Sequence, residues 1–106
     1  MSGTHPKPPF APRPRELRQE LTIAEAEARE RVHDPLGAVP DTPFGFLHGA
    51  WITFTQLRQA DDRLWRFESQ RKERRIKVCR EGYAWVGPDG PRITWVAEEW
   101  RVPPDA

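Results

Sequence analysis

Proline placement limits where this chain can fold. Twelve prolines occur in 106 residues, and five of them lie within the first fourteen positions. Proline removes a backbone donor and favours extended polyproline II geometry. We therefore predict a flexible arm over residues 1–13, in which only Phe10 could anchor the chain. Three further prolines in residues 34–49 predict a connector, because each one forces the residue before it into extended geometry.

Residues 14–33 have the pattern of a helix. Pro14 suits a first helical turn, and neither proline nor glycine follows until Pro35. Apolar residues recur at spacings of four, three, four and four, which forms one narrow stripe: Leu17, Leu21, Ala24, Ala28 and Val32. Residues 22–25 (TIAE) also match a capping box, which leaves open a helix that begins at residue 23. The stripe favours a helix laid across a sheet, with a dimer seam as the alternative.

Residues 50–102 have the pattern of strands. Residues 51–55 are aromatic and β-branched, residues 64–68 alternate apolar with charged, and residues 83–86 and 92–96 flank a turn at residues 87–91 (GPDGP). The last pair predicts a β-hairpin, and residues 97–100 either continue its second strand or form a short helix. The predicted fold class is α+β: an N-terminal helix packed on a three- to five-stranded antiparallel sheet, as a single domain over residues 14–102.

Residues 69–82 are ambiguous between helix and strand. Ser69 is a good N-cap and Gly82 a good residue to follow a helix, and together they bracket three turns. Residues 76–79 nevertheless alternate as a strand does. We favour the helix slightly.

Two segments resemble a pattern in small uncharacterised bacterial proteins. They are residues 62–67 (DRLWRF) and 80–86 (REGYAWV). In those proteins an acidic-Leu-Trp-x-Phe strand is followed by a short helix and then by a Gly-Tyr-Ala-hydrophobic strand. The resemblance implies an α+β fold and a bacterial or phage-related origin, and it implies no activity and no functional residues. The segment between the two matches departs from the pattern, because it is unusually basic and lacks the tryptophan and leucine of that helix.

Composition favours a reducing compartment and a binding role. Cys79 is the single cysteine, so no internal disulfide can form, and we predict a cytoplasmic protein. The first residues lack a secretory signal pattern, and no apolar run approaches a membrane span of about 20 residues. No catalytic, cofactor-binding or metal-ligating motif occurs, so we expect no enzyme activity, no cofactor, no small-molecule substrate and no metal.

Two groups of residues are candidates for binding a partner. Five tryptophans exceed what one face of a small sheet needs, which predicts a protein partner or a homodimer through some of them: Trp51, Trp65, Trp85, Trp95 and Trp100. The alternative is nucleic-acid binding by six cations within ten residues, with Trp65, Phe67, Tyr83 and Trp85 available for stacking. Those cations are Arg71, Lys72, Arg74, Arg75, Lys77 and Arg80. The sequence therefore predicts a protein-interaction or regulatory module, with nucleic-acid binding as the second hypothesis.

Overall fold

The computed structural model describes residues 10–103. Within them, four antiparallel strands pair in chain order, so each strand lies beside the next. The strands are β1 (Leu17–Leu21), β2 (Arg63–Glu73), β3 (Ile76–Gly87) and β4 (Gly90–Val102). Helices α1 (Ile23–Arg29) and α2 (His48–Thr55) lie between β1 and β2, and single 3-10 turns occupy Pro14–Glu16 and Gly45–Leu47. The predicted α+β class with an antiparallel sheet is confirmed.

The helix predicted over residues 14–33 is wrong for its first half. Residues 17–21 form β1, which pairs with β2 so that Leu21 lies opposite Leu64. The alternative start at residue 23 is confirmed: the Thr22 hydroxyl accepts from the Glu25 N–H at 3.1 Å, and the Glu25 carboxylate accepts from the Thr22 N–H at 2.9 Å. The residues before Thr22 form a strand because β2 supplies hydrogen-bond partners for their backbone. A helix there would bury little apolar surface, since its apolar stripe is rich in alanine.

The strand predicted over residues 51–55 is a helix. Trp51 and Phe54 are buried in the core and lie three positions apart, which places them on one face of α2. The Thr53 hydroxyl donates to the Gly49 carbonyl at 3.1 Å, so this β-branched residue binds back within its own helix. Burial of the two rings therefore outweighs the local β preference.

The helix slightly favoured over residues 69–82 is wrong as well. β2 and β3 pair without interruption from Arg63 opposite Val86 to Glu73 opposite Ile76. Arg74 and Arg75 form the two-residue turn between them. The strand alternative prevails because Arg71 and Arg80 of this hairpin bind Glu16 and Glu99 on other elements. A short window of sequence does not contain those partners.

The β3–β4 hairpin is confirmed. Gly87 lies opposite Gly90 across a turn at Pro88 and Asp89, and Gly90 has a φ of 115°, which a side chain would strain. Residues 97–100 continue β4 rather than forming a helix.

An aromatic core lies between the helices and one face of the sheet. Trp51 and Phe54 of α2 pack on Tyr83 and Trp85 of β3, with Phe54 and Trp85 stacked at a centroid distance of 5.4 Å. Each buried ring donor has an acceptor: Trp51 Nε1 donates to Glu27 at 2.9 Å, Trp85 Nε1 to the Phe54 carbonyl at 2.9 Å, and the Tyr83 hydroxyl to Glu30 at 3.0 Å. Burial, with the Glu30 carboxylate beside it, raises the pKa of Tyr83. Glu27 of α1 and Glu30, the residue after this helix, thus fix the orientation of the Trp51 and Tyr83 rings.

Residues 10–16, which precede β1, pack on the sheet against β2. Of the predicted flexible arm, residues 1–9 lie outside the described residues, whereas Pro12 is buried and the Phe10 ring lies 5.5 Å from Phe67. Glu16 and Ser69 are also buried and share a hydrogen bond of 2.7 Å. Residues 10–16 are therefore part of the folded body.

Candidate interaction surface

The structure sorts the five tryptophans by burial. Trp51 and Trp85 belong to the sealed core, with exposed fractions of 0% and 2%. Trp95 is partly buried against that core, 4.8 Å from Phe44. Trp65 is half-buried on β2, opposite Ala84. Trp100 alone among the five is exposed, with 41% of its surface accessible. The five rings therefore do not form one surface, and Trp100 is the one that is open to solvent.

The outer edge of β4 is open in the part of the chain that the structure describes. β4 pairs with β3 along its inner edge, and no strand within residues 10–103 pairs with its other side. The helical layer packs against Ile93 and Trp95. Farther along, Trp100 and Val102 are both exposed. An open edge presents backbone donors and acceptors that another strand can use.

Charged residues flank Trp100 on this edge. Glu98, Glu99 and Arg101 are exposed. The Glu99 carboxylate accepts from Arg80 Nε at 2.8 Å and lies 3.9 Å from Arg101. Edge charges of this kind restrict which strands can pair, because a like charge placed opposite is unfavourable.

A small hollow lies beside this edge, between the connector and the sheet. Its volume is about 150 Å³, and Phe44, Leu47 and Tyr83 meet carboxylates there. Glu30 accepts from Tyr83, and Arg66 lies 2.5 Å from Glu68 and 3.9 Å from Glu81. Tyr83 and Arg66 are therefore both engaged by carboxylates, which indicates a structural seam.

The basic segment is divided into two parts by the hairpin. Arg71 binds Glu16, and Arg80 binds Glu73 at 3.1 Å as well as Glu99. Partial burial would lower the pKa of Arg80, but the hydrogen bonds that it donates to the carboxylates of Glu99 and Glu73 outweigh this and raise the pKa. The other four cations are exposed at the tip of the hairpin: Lys72, Arg74, Arg75 and Lys77.

The aromatic residues proposed for stacking do not accompany this tip. Phe67, Tyr83 and Trp85 are buried. Trp65 lies at the opposite end of β2. The structure thus brings four of the six predicted cations together, buries three of the flanking rings and places the fourth, Trp65, away from the tip.

An ion pair that the sequence did not reveal holds the loop before β2. Asp62 closes the turn before β2 by accepting from the Gln59 N–H at 2.7 Å. Its buried carboxylate also accepts from Arg92 on β4, and Arg92 donates to the Leu57 carbonyl at 2.7 Å. The hydrogen bond from Arg92 lowers the pKa of Asp62. The signal was absent because these partners lie 30 residues apart.

The histidines, the cysteine and the helices of the described residues do not form a metal or membrane site. Within residues 10–103, no three histidine, cysteine or acidic side chains come together as metal ligands would. Cys79 is buried, and the His48 ring lies 3.0 Å from the Pro43 carbonyl. No helix in the same range has the length and apolarity of a membrane span.

Comparison with known proteins does not indicate a function for this chain. No family model matches the chain, and no curated protein or solved structure is significantly similar to it. The resemblance to small bacterial proteins therefore stays a prediction. Function has to be argued from the open β4 edge and from the basic hairpin tip.

Proposed function

We propose that this chain is a protein-interaction module that associates with a second copy of itself along the outer edge of β4. The observation that carries the proposal is the exposed Trp100 on an edge strand without a described partner. Trp is enriched among the residues that dominate the free energy of protein association. Addition of a strand to a sheet edge is a common mode of recognition, in which the main chain supplies the hydrogen bonds.

The sequence of this edge supports a second copy as the partner. Antiparallel pairing about a two-fold axis at Trp100 would set this ring opposite Trp100 of the second copy. The same register would set Glu99 opposite Arg101, and Glu98 opposite Val102, on both sides of the axis. Aromatic and opposite-charge pairs across strands each contribute about 0.2–1 kcal/mol. A two-fold interface must be self-complementary, and this stretch meets that requirement.

A binding role also agrees with the use of the buried acids. Glu16 and Asp62 are each engaged by an arginine, Arg71 and Arg92 respectively. Carboxylates held in this way are stable ion-pair partners, which supports a structural role over an acid–base one. With Cys79 as its single cysteine, the chain suits the bacterial cytoplasm, where we place a regulatory or scaffolding function.

The proposal is tested by the mass of the full chain in solution. Light scattering over a concentration series is expected to show a dimer that dissociates on dilution. Trp100→Thr should yield a monomer, because it removes the central ring while keeping a residue that suits a strand. Arg101→Glu should also weaken the dimer, since it sets two acids opposite each other.

Phe46→Ser is the matched control. It removes another exposed aromatic ring, from the 3-10 turn before α2, and should leave the mass unchanged. A chain that stays monomeric at every concentration would overturn the proposal. A dimer that survives Trp100→Thr would exclude the β4 edge as its interface.

A further inference from the structure

We propose that the tip of the β2–β3 hairpin binds the phosphate backbone of duplex nucleic acid through Lys72, Arg74, Arg75 and Lys77. This inference does not rest on association through β4, because the tip lies on other strands. It differs from the sequence hypothesis in two respects. Arg71 and Arg80 are excluded from contact, and no aromatic stacking is involved.

The charge arrangement of the tip supports an anionic ligand. All four cations are exposed, and the one acid among residues 72–77 is Glu73, which accepts from Arg80 at 3.1 Å. Lys72 and Lys77 lie directly opposite each other in the ladder. Like charges in that relation are destabilising. An anion held between them would relieve the repulsion.

The turn itself indicates that charge is maintained at the expense of stability. Arg74 and Arg75 have φ values of 54° and 71°. Two-residue hairpin turns with two positive φ values strongly favour Asn-Gly, and such backbone costs on the order of 1–3 kcal/mol for other residues. Two arginines therefore occupy the positions where glycine or asparagine would fold best. Unfavourable local geometry of this kind clusters at binding sites.

Arg71 and Arg80, which are not part of the proposed binding site, fix the base of the hairpin. Arg71 binds Glu16 of the N-terminal segment, and Arg80 binds Glu99 of β4. Both ion pairs hold the two-stranded ribbon to the rest of the fold. A two-stranded ribbon fits the major groove of B-DNA, which is about 12 Å wide, and cations on both of its strands can then reach phosphates on either wall. Contacts of this type position a protein without reading sequence.

The decisive variant is Arg74→Asn with Arg75→Gly. It removes two cations but installs the residues that this turn prefers, so loss of binding cannot be attributed to loss of folding. The probe is a fluorescein-labelled DNA duplex of mixed sequence, followed by anisotropy over a series of salt concentrations. Four phosphate contacts predict a slope of about −3.6 for log K against log salt, and two contacts about −1.8. We expect the variant to bind at least tenfold more weakly at low salt and to unfold at a higher urea concentration.

Arg15→Gln with Arg18→Gln is the control for net charge. Both arginines are exposed in the N-terminal segment alongside the middle of β2, where Arg18 lies 3.9 Å from Glu68. Like the tip variant, the control removes two positive charges from a chain of formal charge +1. It should retain the slope of the unmodified chain. Equal losses in both variants, or no binding of the duplex at low salt, would overturn the proposal.

Two further experiments test the class of ligand and whether its binding is independent of association through β4. Vesicles containing phosphatidylserine and a polyglutamate peptide replace the duplex in the same titration. Binding to either one that depends on Arg74 and Arg75, without binding to the duplex, would overturn the nucleic-acid assignment. In a chain that carries Trp100→Thr, the tip variant should still bind the duplex more weakly than its control does. This result separates the inference from the dimer proposal.

Discussion

Arg71 donates two hydrogen bonds to the carboxylate of Glu16, a residue 55 positions earlier in the chain. The distances are 2.7 Å from Nη2 to Oε1 and 3.3 Å from Nε to Oε2. The Arg13 N–H and the Ser69 hydroxyl donate to the same carboxylate, both at 2.7 Å. The pair joins the segment before β1 to the base of the basic hairpin, so its strength should be visible in the stability of the whole domain.

Acid should weaken the fold through Glu16. Burial raises the pKa of this carboxyl, but the hydrogen bonds from Arg71, Arg13 and Ser69 outweigh it and lower the pKa from 4.5 to about 2. A lowered folded-state pKa means that the stabilisation is complete above about pH 4.5 and is lost as the pH falls towards 2. The shift corresponds to on the order of 3 kcal/mol. Urea unfolding measured in steps from about pH 6 to pH 2 should show this decline.

Two variants test this assignment. Ser69→Ala removes one of the donors, should cost about 1 kcal/mol at neutral pH, and should move the acid decline to higher pH. Glu20→Gln removes the partner of Arg63 in an ion pair of 2.9 Å whose side chains are 42% and 71% exposed, and it should change stability by less than about 1 kcal/mol. A decline of unchanged position in Ser69→Ala would assign the acid sensitivity to another group.

Phe10 should stabilise the fold through cation–π contacts with two arginines. Its ring centroid lies 4.5 Å from the Arg71 guanidinium carbon, 4.9 Å from that of Arg80 and 5.5 Å from the Phe67 ring. Phe10→Ala should lower the free energy of unfolding by about 1–3 kcal/mol, and Phe10→Leu should restore the apolar part but not the roughly 0.5–1 kcal/mol of cation–π attraction. Stability of Phe10→Ala equal to that of the unmodified chain would show that residues 10–13 are not held on the sheet.

Local patterns predicted the fold where the chain folds against its immediate neighbours. The β3–β4 hairpin was predictable because Pro88, Asp89 and Gly90 specify a turn between two alternating strands. The start of α1 was offered as an alternative because Thr22 and Glu25 satisfy each other within one turn. These signals are complete within a short window of sequence.

The errors occur where distant residues decide. Leu17 and Leu21 fit a helix by spacing and a strand by alternation, and only pairing with Leu64 on β2 selects the strand. Trp51 and Phe54 fit either structure until the core rings of β3 are present. The candidate site divides in the same way. The clustering of the cations was visible in the sequence. The ion pairs with Glu16 and Glu99, which take Arg71 and Arg80 out of the exposed cluster, were not.

Cys79 should report on opening of the hairpins. Its side chain is buried, with 3% of the residue exposed, in the middle strand between Gln70 and Trp100. The thiol should therefore react with a disulfide reagent only when the sheet opens, and the rate should follow the open population when closing is fast. Ser69→Ala should raise the labelling rate of Cys79 by the factor that corresponds to its loss of free energy of unfolding. Labelling of the unmodified chain as fast as that of the chain unfolded in urea would contradict the burial of this thiol.

Gly82 should be the least replaceable glycine of the sheet. It lies at the bulge where the β3–β4 register shifts after Glu81, and a Cβ built there would come 2.0 Å from the Trp95 carbonyl oxygen. Because the obstacle is backbone, Gly82→Ala must push β4 away and should cost about 2–3 kcal/mol or more. Gly49 is the matched control: it lies within α2 with open space around its Cα, so Gly49→Ala should stabilise the fold by about 0.5–1 kcal/mol. Urea unfolding of both variants should therefore move in opposite directions, and a Gly82→Ala chain as stable as the unmodified one would refute the close approach of β4 at this bulge.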